Sequence, residues 1–176
     1  MQKTIERIVK PLDRFIMTVG QIGSWALISV ITIVMLDVIT RRFFTLGSVM
    51  LQELEWHFHA IAFLLCASWT YLNDGHVRVD IVYAKMTARA KAWVDLLGGL
   101  VFTIPFCLTM IVLGSVFVED SYSMHEVSDA PGGLPYRFAI KMFFPLGFLL
   151  LLIQGISATL KNLLFLKTGQ TLEKPA

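Results

Sequence analysis

Two carboxylates and two imidazoles lie between residues 53 and 59, which is the densest group of side chains that could bind a metal or transfer a proton. Glu53 and His57 are four residues apart, as are Glu55 and His59. At about 100° per residue, each pair lies on one face of a helix. Such pairs suit metal binding or proton transfer, but the spacing is not His-Glu-x-x-His and no cysteine or further carboxylate cluster completes a metal shell. We therefore interpret them as helix-end groups that contact a neighbouring subunit or lipid headgroups.

The remaining candidates for chemistry are too dispersed to form a site. His76 and His125 fall in connections, so two axial haem ligands on facing helices are not available and we expect no cofactor. The sequence shows no nucleophile and base pair, phosphate-binding loop or paired-carboxylate motif, and it predicts a protein that is not an enzyme. Cys66 and Cys107 lie in apolar runs, and we interpret them as small buried side chains without a disulfide.

The composition indicates an integral membrane protein. Of the 176 residues, 56% are hydrophobic and 16% are charged, against about 25% charged in an average soluble domain. The mean hydropathy of +0.68 is too high for a soluble protein of this size, which must cover its surface with polar groups. The net charge of +2 is too small for binding a polyanion, so a nucleic-acid partner is excluded.

Four segments are long and apolar enough to cross a membrane, which takes about 20 residues. The expected spans are residues 15–40, 54–72, 96–118 and 138–160. We therefore predict an all-α membrane domain over residues 15–163, preceded by a basic amphipathic segment (1–14) and followed by a polar cytoplasmic tail (164–176). No internal repeat is visible, so the chain does not resemble an inverted-repeat transporter core.

The basic residues predict the orientation of the spans. Eleven lysine and arginine residues lie beside the spans on the side of the two termini, and three lie on the other side. Since basic residues concentrate on the cytoplasmic side, both termini are expected in the cytoplasm. Lys141 lies just inside the fourth span and, like Asp37, is expected to extend its polar end towards the membrane surface.

Two segments outside the spans are amphipathic. Residues 3–16 place apolar side chains on one face and Lys3, Arg7, Lys10 and Arg14 on the other, which is typical of a helix lying in the headgroup layer. The alternative is a solvated basic leader that only sets topology. Pro11 either interrupts this helix or begins the first span. A second interfacial helix is expected in the connection 73–95, after the turn at Asn73-Asp74-Gly75.

Several short motifs together resemble a known family. They are Gln52-Glu53-Leu54-Glu55-Trp56-His57, His76-Val77-Arg78-Val79-Asp80-Ile81, Arg89, Ala92-Trp93, Asp95-Leu96-Leu97-Gly98, Glu126-x-Ser128, Pro131-Gly132-Gly133-Leu134-Pro135, Lys141 and Leu152-x-Gln154-Gly155. From about residue 16 to 163 the chain resembles the small permease subunit of tripartite ATP-independent periplasmic (TRAP) transporters, of the DctQ type. The His-Val-Arg-Val-Asp and Gly-Gly-Leu-Pro segments are the specific parts of this resemblance.

The resemblance implies a scaffold role in the bacterial inner membrane. In that family a periplasmic binding protein captures an organic acid, and a large multi-span subunit carries it inward with a sodium gradient. The small subunit packs against the large one. The residues expected to contact the partner or membrane lipids are Glu53, Glu55, Trp56, His57, Arg78, Asp80, Trp93, Gly98, Glu126, Gly132, Gly133 and Lys141.

Two other classes remain open from the residues alone. One is a membrane anchor of a respiratory or redox complex, which would bring haem or quinone ligands. The other is a self-assembling channel whose acidic loop 119–137 forms a cation vestibule. For the scaffold interpretation, small residues in the spans are expected to receive a neighbouring helix of the large subunit, namely Gly20, Gly23, Ser24, Gly98, Gly99 and Gly114.

Overall fold

The structure is a computed structural model that describes residues 2–44, 47–76 and 80–172, with only the backbone described at Asp80. Its elements are α1 (Gln2–Phe43), α2 (Val49–Leu72), α3 (Asp80–Tyr83), α4 (Ala88–Gly98), a π-helical turn (Gly99–Thr103), α5 (Ile104–Ser123), α6 (Phe138–Lys141) and α7 (Phe143–Thr168). No strand occurs in these ranges. The prediction of an all-α protein is confirmed for them.

Four long helical segments alternate in direction along the chain, up-down-up-down, so that α2 and α7, which contact each other, run parallel. Close contacts set their order: Gly20 on α1 lies against Trp69 on α2, and Gly114 on α5 lies against Phe144 on α7. We call the end with the start of α1 and the end of α7 the termini end. The opposite end, with the start of α2 and the connection from α5 to α7, is called the loop end.

Three helical stretches are long and apolar enough to cross a membrane. They are Gln2–Phe43, Ala88–Ser123 and Phe138–Thr168, the second and third comprising α4 to α5 and α6 to α7. The 24-residue α2 is not among them, because its first turns carry the glutamates and histidines of residues 53–59. Its length of about 36 Å at 1.5 Å per residue nevertheless matches a bilayer core of about 30 Å.

The first helix is continuous through Pro11, which corrects the expectation of a separate helix before the first span. Ile5 and Val9 are buried against Leu164 of α7. Part of the apolar stripe of residues 3–16 thus packs on protein, while Ile8 stays exposed. Because Leu164 is buried in helix, the polar tail begins later than residue 164; α7 ends at Thr168, before Gly169 with φ of 71°.

Two interruptions of the helices lie just before Pro105 and Pro145. The π-helical turn at 99–103 precedes Pro105, and α6 gives way to α7 at Met142. A proline has no N–H to donate to the carbonyl one turn earlier, so the preceding turn must change its hydrogen-bond pattern. Cys66 and Cys107 are both free thiols, as expected.

Most of the small residues expected at a partner interface are used inside the chain. A β-carbon at Gly23 would lie 2.7 Å from Leu65, and one at Gly99 would lie 2.5 Å from the Thr159 hydroxyl. Gly20 and Gly114 are also closely covered by neighbouring helices, which corrects the expectation that these glycines are open to a larger subunit. Gly98 differs, since a β-carbon there would meet nothing within 4 Å.

Candidate loop-anchoring site

The buried carboxylate of Glu53 organises the loop end. It lies in the first turns of α2, whose N-cap Ser48 accepts a hydrogen bond from the backbone N–H of Leu51 at 3.3 Å. Glu53 accepts hydrogen bonds from the backbone N–H of Leu134 at 2.6 Å, from the Arg137 guanidinium at 3.3 Å and from the Ser128 hydroxyl. All three donors belong to the connection that follows α5, so one side chain ties that connection to α2.

Two adjacent glycines allow this close approach, each for a different reason. Gly132 has a φ of 79°, a conformation that costs little only for glycine. A β-carbon at Gly133 would lie 2.9 Å from a carboxylate oxygen of Glu53 and closer still to Ser128. The Pro-Gly-Gly-Leu-Pro motif therefore supplies both the turn and the space that Glu53 requires.

A second ion pair fixes the two ends of the same connection to each other. The Lys141 ammonium contacts the Glu126 carboxylate and lies 3.9 Å from the centroid of the Phe117 ring. The backbone carbonyl of Glu126 accepts a hydrogen bond from the N–H of Arg137 at 3.1 Å. Lys141, Glu126 and Arg137 thus stabilise the connection from within the chain.

Both glutamates are held in their charged forms. The hydrogen bonds from the Leu134 N–H and the Ser128 hydroxyl lower the pKa of Glu53; burial opposes them, and the Arg137 guanidinium lowers the pKa further. The Lys141 ammonium lowers the pKa of Glu126. A carboxylate stabilised as an anion is a poor proton carrier near neutral pH, so this site suits structural anchoring better than proton relay.

The aromatic and imidazole groups of α2 pack beside this anchor. The His57 ring nitrogen Nδ1 contacts the backbone carbonyl of Glu53 and not its carboxylate. The Trp56 and His57 rings are 4.4 Å apart between centroids, and the Arg137 guanidinium lies 5.8 Å from the Trp56 ring centroid. Glu55 is half-buried and His59 is exposed. Within the described ranges, no group of three or more metal-ligating side chains converges.

The termini end contains a buried carboxylate that sequence reasoning missed. Asp13 accepts a hydrogen bond from the Ser157 hydroxyl at 2.6 Å and forms an ion pair with Lys161 at 2.5 Å. The signal was available: Asp13 lies four residues after Val9 and three before Ile16, so it is an acid on the apolar face of α1. It links α1 to α7.

The remaining predicted site residues do not join either cluster. The Trp93 side chain on α4 is half exposed. Gly98 is partly exposed with open space beside it. Arg78 and the side chain of Asp80 lie outside the described residues, so their role at the membrane surface or at a partner stays a prediction.

The comparison with protein families identifies the family of this chain. The family described as "Tripartite ATP-independent periplasmic transporters, DctQ component" matches residues 30–165, which is more than three quarters of the chain. The matched region contains Glu53, the Gly132-Gly133 turn and Lys141, and so includes the whole loop-anchoring site. No curated protein and no solved structure matches the chain.

Proposed function

We propose, from the premise that this chain belongs to the DctQ family of TRAP transporter components, that it is a fixed scaffold for a large permease subunit. Membership of this family indicates that the chain is the small membrane component of such a transporter and that it associates with the other components. We further propose that the large subunit carries an organic acid inward with sodium, after delivery by a periplasmic binding protein. The chain itself is proposed to have no enzymatic activity.

The observation that carries the scaffold proposal is the closed network around Glu53. At the loop end the polar side chains bind one another. The carboxylate of Glu53 is surrounded by donors from its own chain, and Lys141 is paired with Glu126. A transport site for an acid requires cations or helix N-termini that are open to the substrate near the middle of the membrane. Side chains that are paired with one another at the end of a bundle are not open to a substrate, and they hold that end of the bundle rigid.

We propose that α2 also crosses the membrane, which gives four spans with both termini in the cytoplasm. The helix packs antiparallel to α1 along the Gly20–Trp69 and Gly23–Leu65 contacts, so it spans the same depth as a helix that is apolar enough to cross. Its Leu65 and Leu72 share a core with Ile16 and Leu150. The excess of basic residues at the termini end supports the orientation, and the bacterial inner membrane is the matching compartment.

Exposed apolar faces of α1 and α5 support packing against lipid and a larger subunit. The large exposed side chains on these helices include Ile22, Trp25, Ile31 and Met35 of α1, and Val112, Leu113 and Val116 of α5. In lipid, helix association depends on close packing and polar contacts more than on removal of apolar area from water. The family match gives no support to the alternative of a respiratory-complex anchor.

Reconstitution tests the proposed division of labour. Liposomes with this chain alone, a binding protein and a sodium gradient are expected to show no organic-acid uptake, whereas addition of a large TRAP permease subunit that binds this chain restores uptake. Liposomes with the large subunit alone provide the control. Uptake by this chain alone would contradict the scaffold proposal.

Reporter fusions test the topology separately. Fusions at Gly132 and Gln170 are expected to give opposite signals, because the loop end and the termini end lie on opposite sides in the four-span arrangement. Equal signals would exclude four spans.

A further inference from the structure

Two adjoining cavities open between α2, the α4–α5 segment and α7 at the termini end. The larger cavity is about 700 Å³, and the smaller is about 420 Å³. Tyr71, Phe102 and Thr103 line both cavities, so the two form one continuous groove. Each volume falls in the range of about 300–1,000 Å³ that is usual for small-molecule sites.

The larger cavity has a polar wall with charges of both signs. Lys91 and Asp95 line it from α4, and Lys161 and Asn162 line it from α7. Asp95 accepts a hydrogen bond from the Tyr83 hydroxyl at 2.7 Å. This lining differs from that of a purely cationic pocket, which would favour a simple anion.

One ammonium group in this wall has its charge available for a ligand. The Lys161 ammonium is paired with Asp13. The Lys91 ammonium lies 5.1 Å from the Tyr83 ring centroid, and in the part of the chain that the structure describes no carboxylate forms an ion pair with it. Lys91 is therefore the group best placed to bind a phosphate.

Gln154 gives the wall an acceptor that requires a donor. The residue lines the larger cavity, is 2% exposed, and its side-chain oxygen has no hydrogen-bond partner among the described residues. A buried acceptor without a partner costs free energy, and native structures contain few of them. This part of the groove therefore has an acceptor whose donor the described residues do not supply.

The smaller cavity is apolar and lies deeper along the bundle. Phe106, Leu151 and His76 line it, together with the shared Tyr71, Phe102 and Thr103, and most of the lining surface is apolar. Leu151 lies three residues before Gln154 on α7, so the smaller cavity adjoins the larger one and reaches about 5 Å further along the helix axis. The groove is thus polar near the end of the bundle and apolar towards its middle.

We propose that this groove binds one phospholipid with a zwitterionic, amine-bearing headgroup of the phosphatidylethanolamine type. Lys91 binds the phosphate, the carboxylate of Asp95 one helical turn away faces the ammonium, and one acyl chain enters the apolar cavity. The mixed charges of the wall select this headgroup over an anionic one. A bound lipid of this kind fills the space between α4 and α7, and the proposal is independent of transport.

Native mass spectrometry of the full chain tests the proposal. The purified chain, delipidated in mild detergent, is mixed with equal amounts of dioleoyl-phosphatidylethanolamine, dioleoyl-phosphatidylglycerol and dioleoyl-phosphatidylcholine. We expect a one-lipid adduct in which phosphatidylethanolamine predominates over each competitor. A preference for phosphatidylglycerol, or adducts without headgroup preference, would overturn the proposal.

Matched variants locate the site. Lys91→Gln is expected to weaken the phosphatidylethanolamine adduct about tenfold through loss of a charge-assisted hydrogen bond. Lys85→Gln, at an exposed lysine of the same connection that does not line the groove, leaves the adduct unchanged. Equal binding by the two variants would overturn the proposal.

A second variant occupies the groove instead of removing charge. Ala158→Leu, in the wall of the larger cavity, is expected to abolish the adduct while helicity by circular dichroism stays unchanged. Ala139→Leu, at an exposed position of the loop end, is the control and keeps the adduct. Full binding by Ala158→Leu would contradict the proposed location, and the Lys91 variant gives an independent answer if Ala158→Leu does not fold.

Discussion

The loop end and the termini end each bury a carboxylate, and the two carboxylates hold different kinds of structure together. Glu53 binds a non-helical connection through a backbone N–H, a hydroxyl and a guanidinium. Asp13 joins two helices, α1 and α7, through Ser157 and Lys161. The first requires a backbone of particular shape, whereas the second requires only two helix faces.

This difference predicts which substitutions each end tolerates. At the loop end a backbone N–H donates a hydrogen bond to Glu53. A change of backbone conformation therefore destroys the site even if every polar side chain is kept. At the termini end the partners are side chains on regular helices, whose backbone bonds are already satisfied. Damage there is limited to the side-chain interaction that is removed.

The largest effect is expected for Gly133→Val. The added side chain collides with Ser128 and Glu53, and overpacking of this kind costs about 3 kcal/mol when backbone must move. The loss of stability is measured as the change in the free energy of unfolding in bicelles. The control is Gly98→Val, where a β-carbon meets nothing within 4 Å; a similar loss in both variants would show that the loop end has no special backbone requirement.

A smaller loss is expected for Asp13→Asn at the termini end. The amide can keep a hydrogen bond with Ser157 but loses the ion pair with Lys161, at a cost of about 2 kcal/mol. Asp120→Asn, at an exposed acid, should stay within about 0.5 kcal/mol of the wild type. If Asp13→Asn is as stable as that control, the buried pair does not join α1 to α7 in the way that we describe.

The pH dependence of stability distinguishes the loop end further. Because Glu53 and Glu126 have lowered pKa values in the folded chain, they stabilise it fully above their unfolded pKa of about 4.3. That contribution is lost as the pH falls through the lower folded values. The melting temperature in nanodiscs should therefore drop below about pH 4, and Glu53→Gln should reduce this dependence. An equally steep dependence in Glu53→Gln would exclude Glu53 as one of its sources.

The smallest effect on the isolated chain is expected for Gly98→Leu. The position is open, so the free energy of unfolding of the isolated chain should change little. Co-purification with the large subunit should fall if this face is part of the interface. Gly99→Leu is the contrasting variant, since its side chain would collide with Thr159 and should destabilise the chain itself. Unchanged co-purification of Gly98→Leu would place the large subunit on another face.

The residue pattern predicted the helices better than it predicted the contacts between them. Apolar runs of sufficient length identified the long helices. Glu53 was singled out at the head of α2 as a contact to a neighbouring subunit or lipid headgroups, whereas in the structure it binds groups of its own chain. Its partners were not paired with it, because Ser128, Leu134 and Arg137 lie 75–84 residues further along the chain. Asp13 was missed because its place on the apolar face of α1 shows that it is buried but not which residues of α7 bind it.

The sequence by itself determined the all-α class and the family, because hydrophobic length and local motifs are properties of contiguous residues. Tertiary structure alone decided which surfaces are used within the chain. Ile5 and Val9 pack on α7 instead of lipid, and Gly20 and Gly23 receive α2 instead of a partner subunit. The physical reason is that an apolar stripe or a small residue specifies close packing but not its partner. The partner depends on which helix the chain brings alongside.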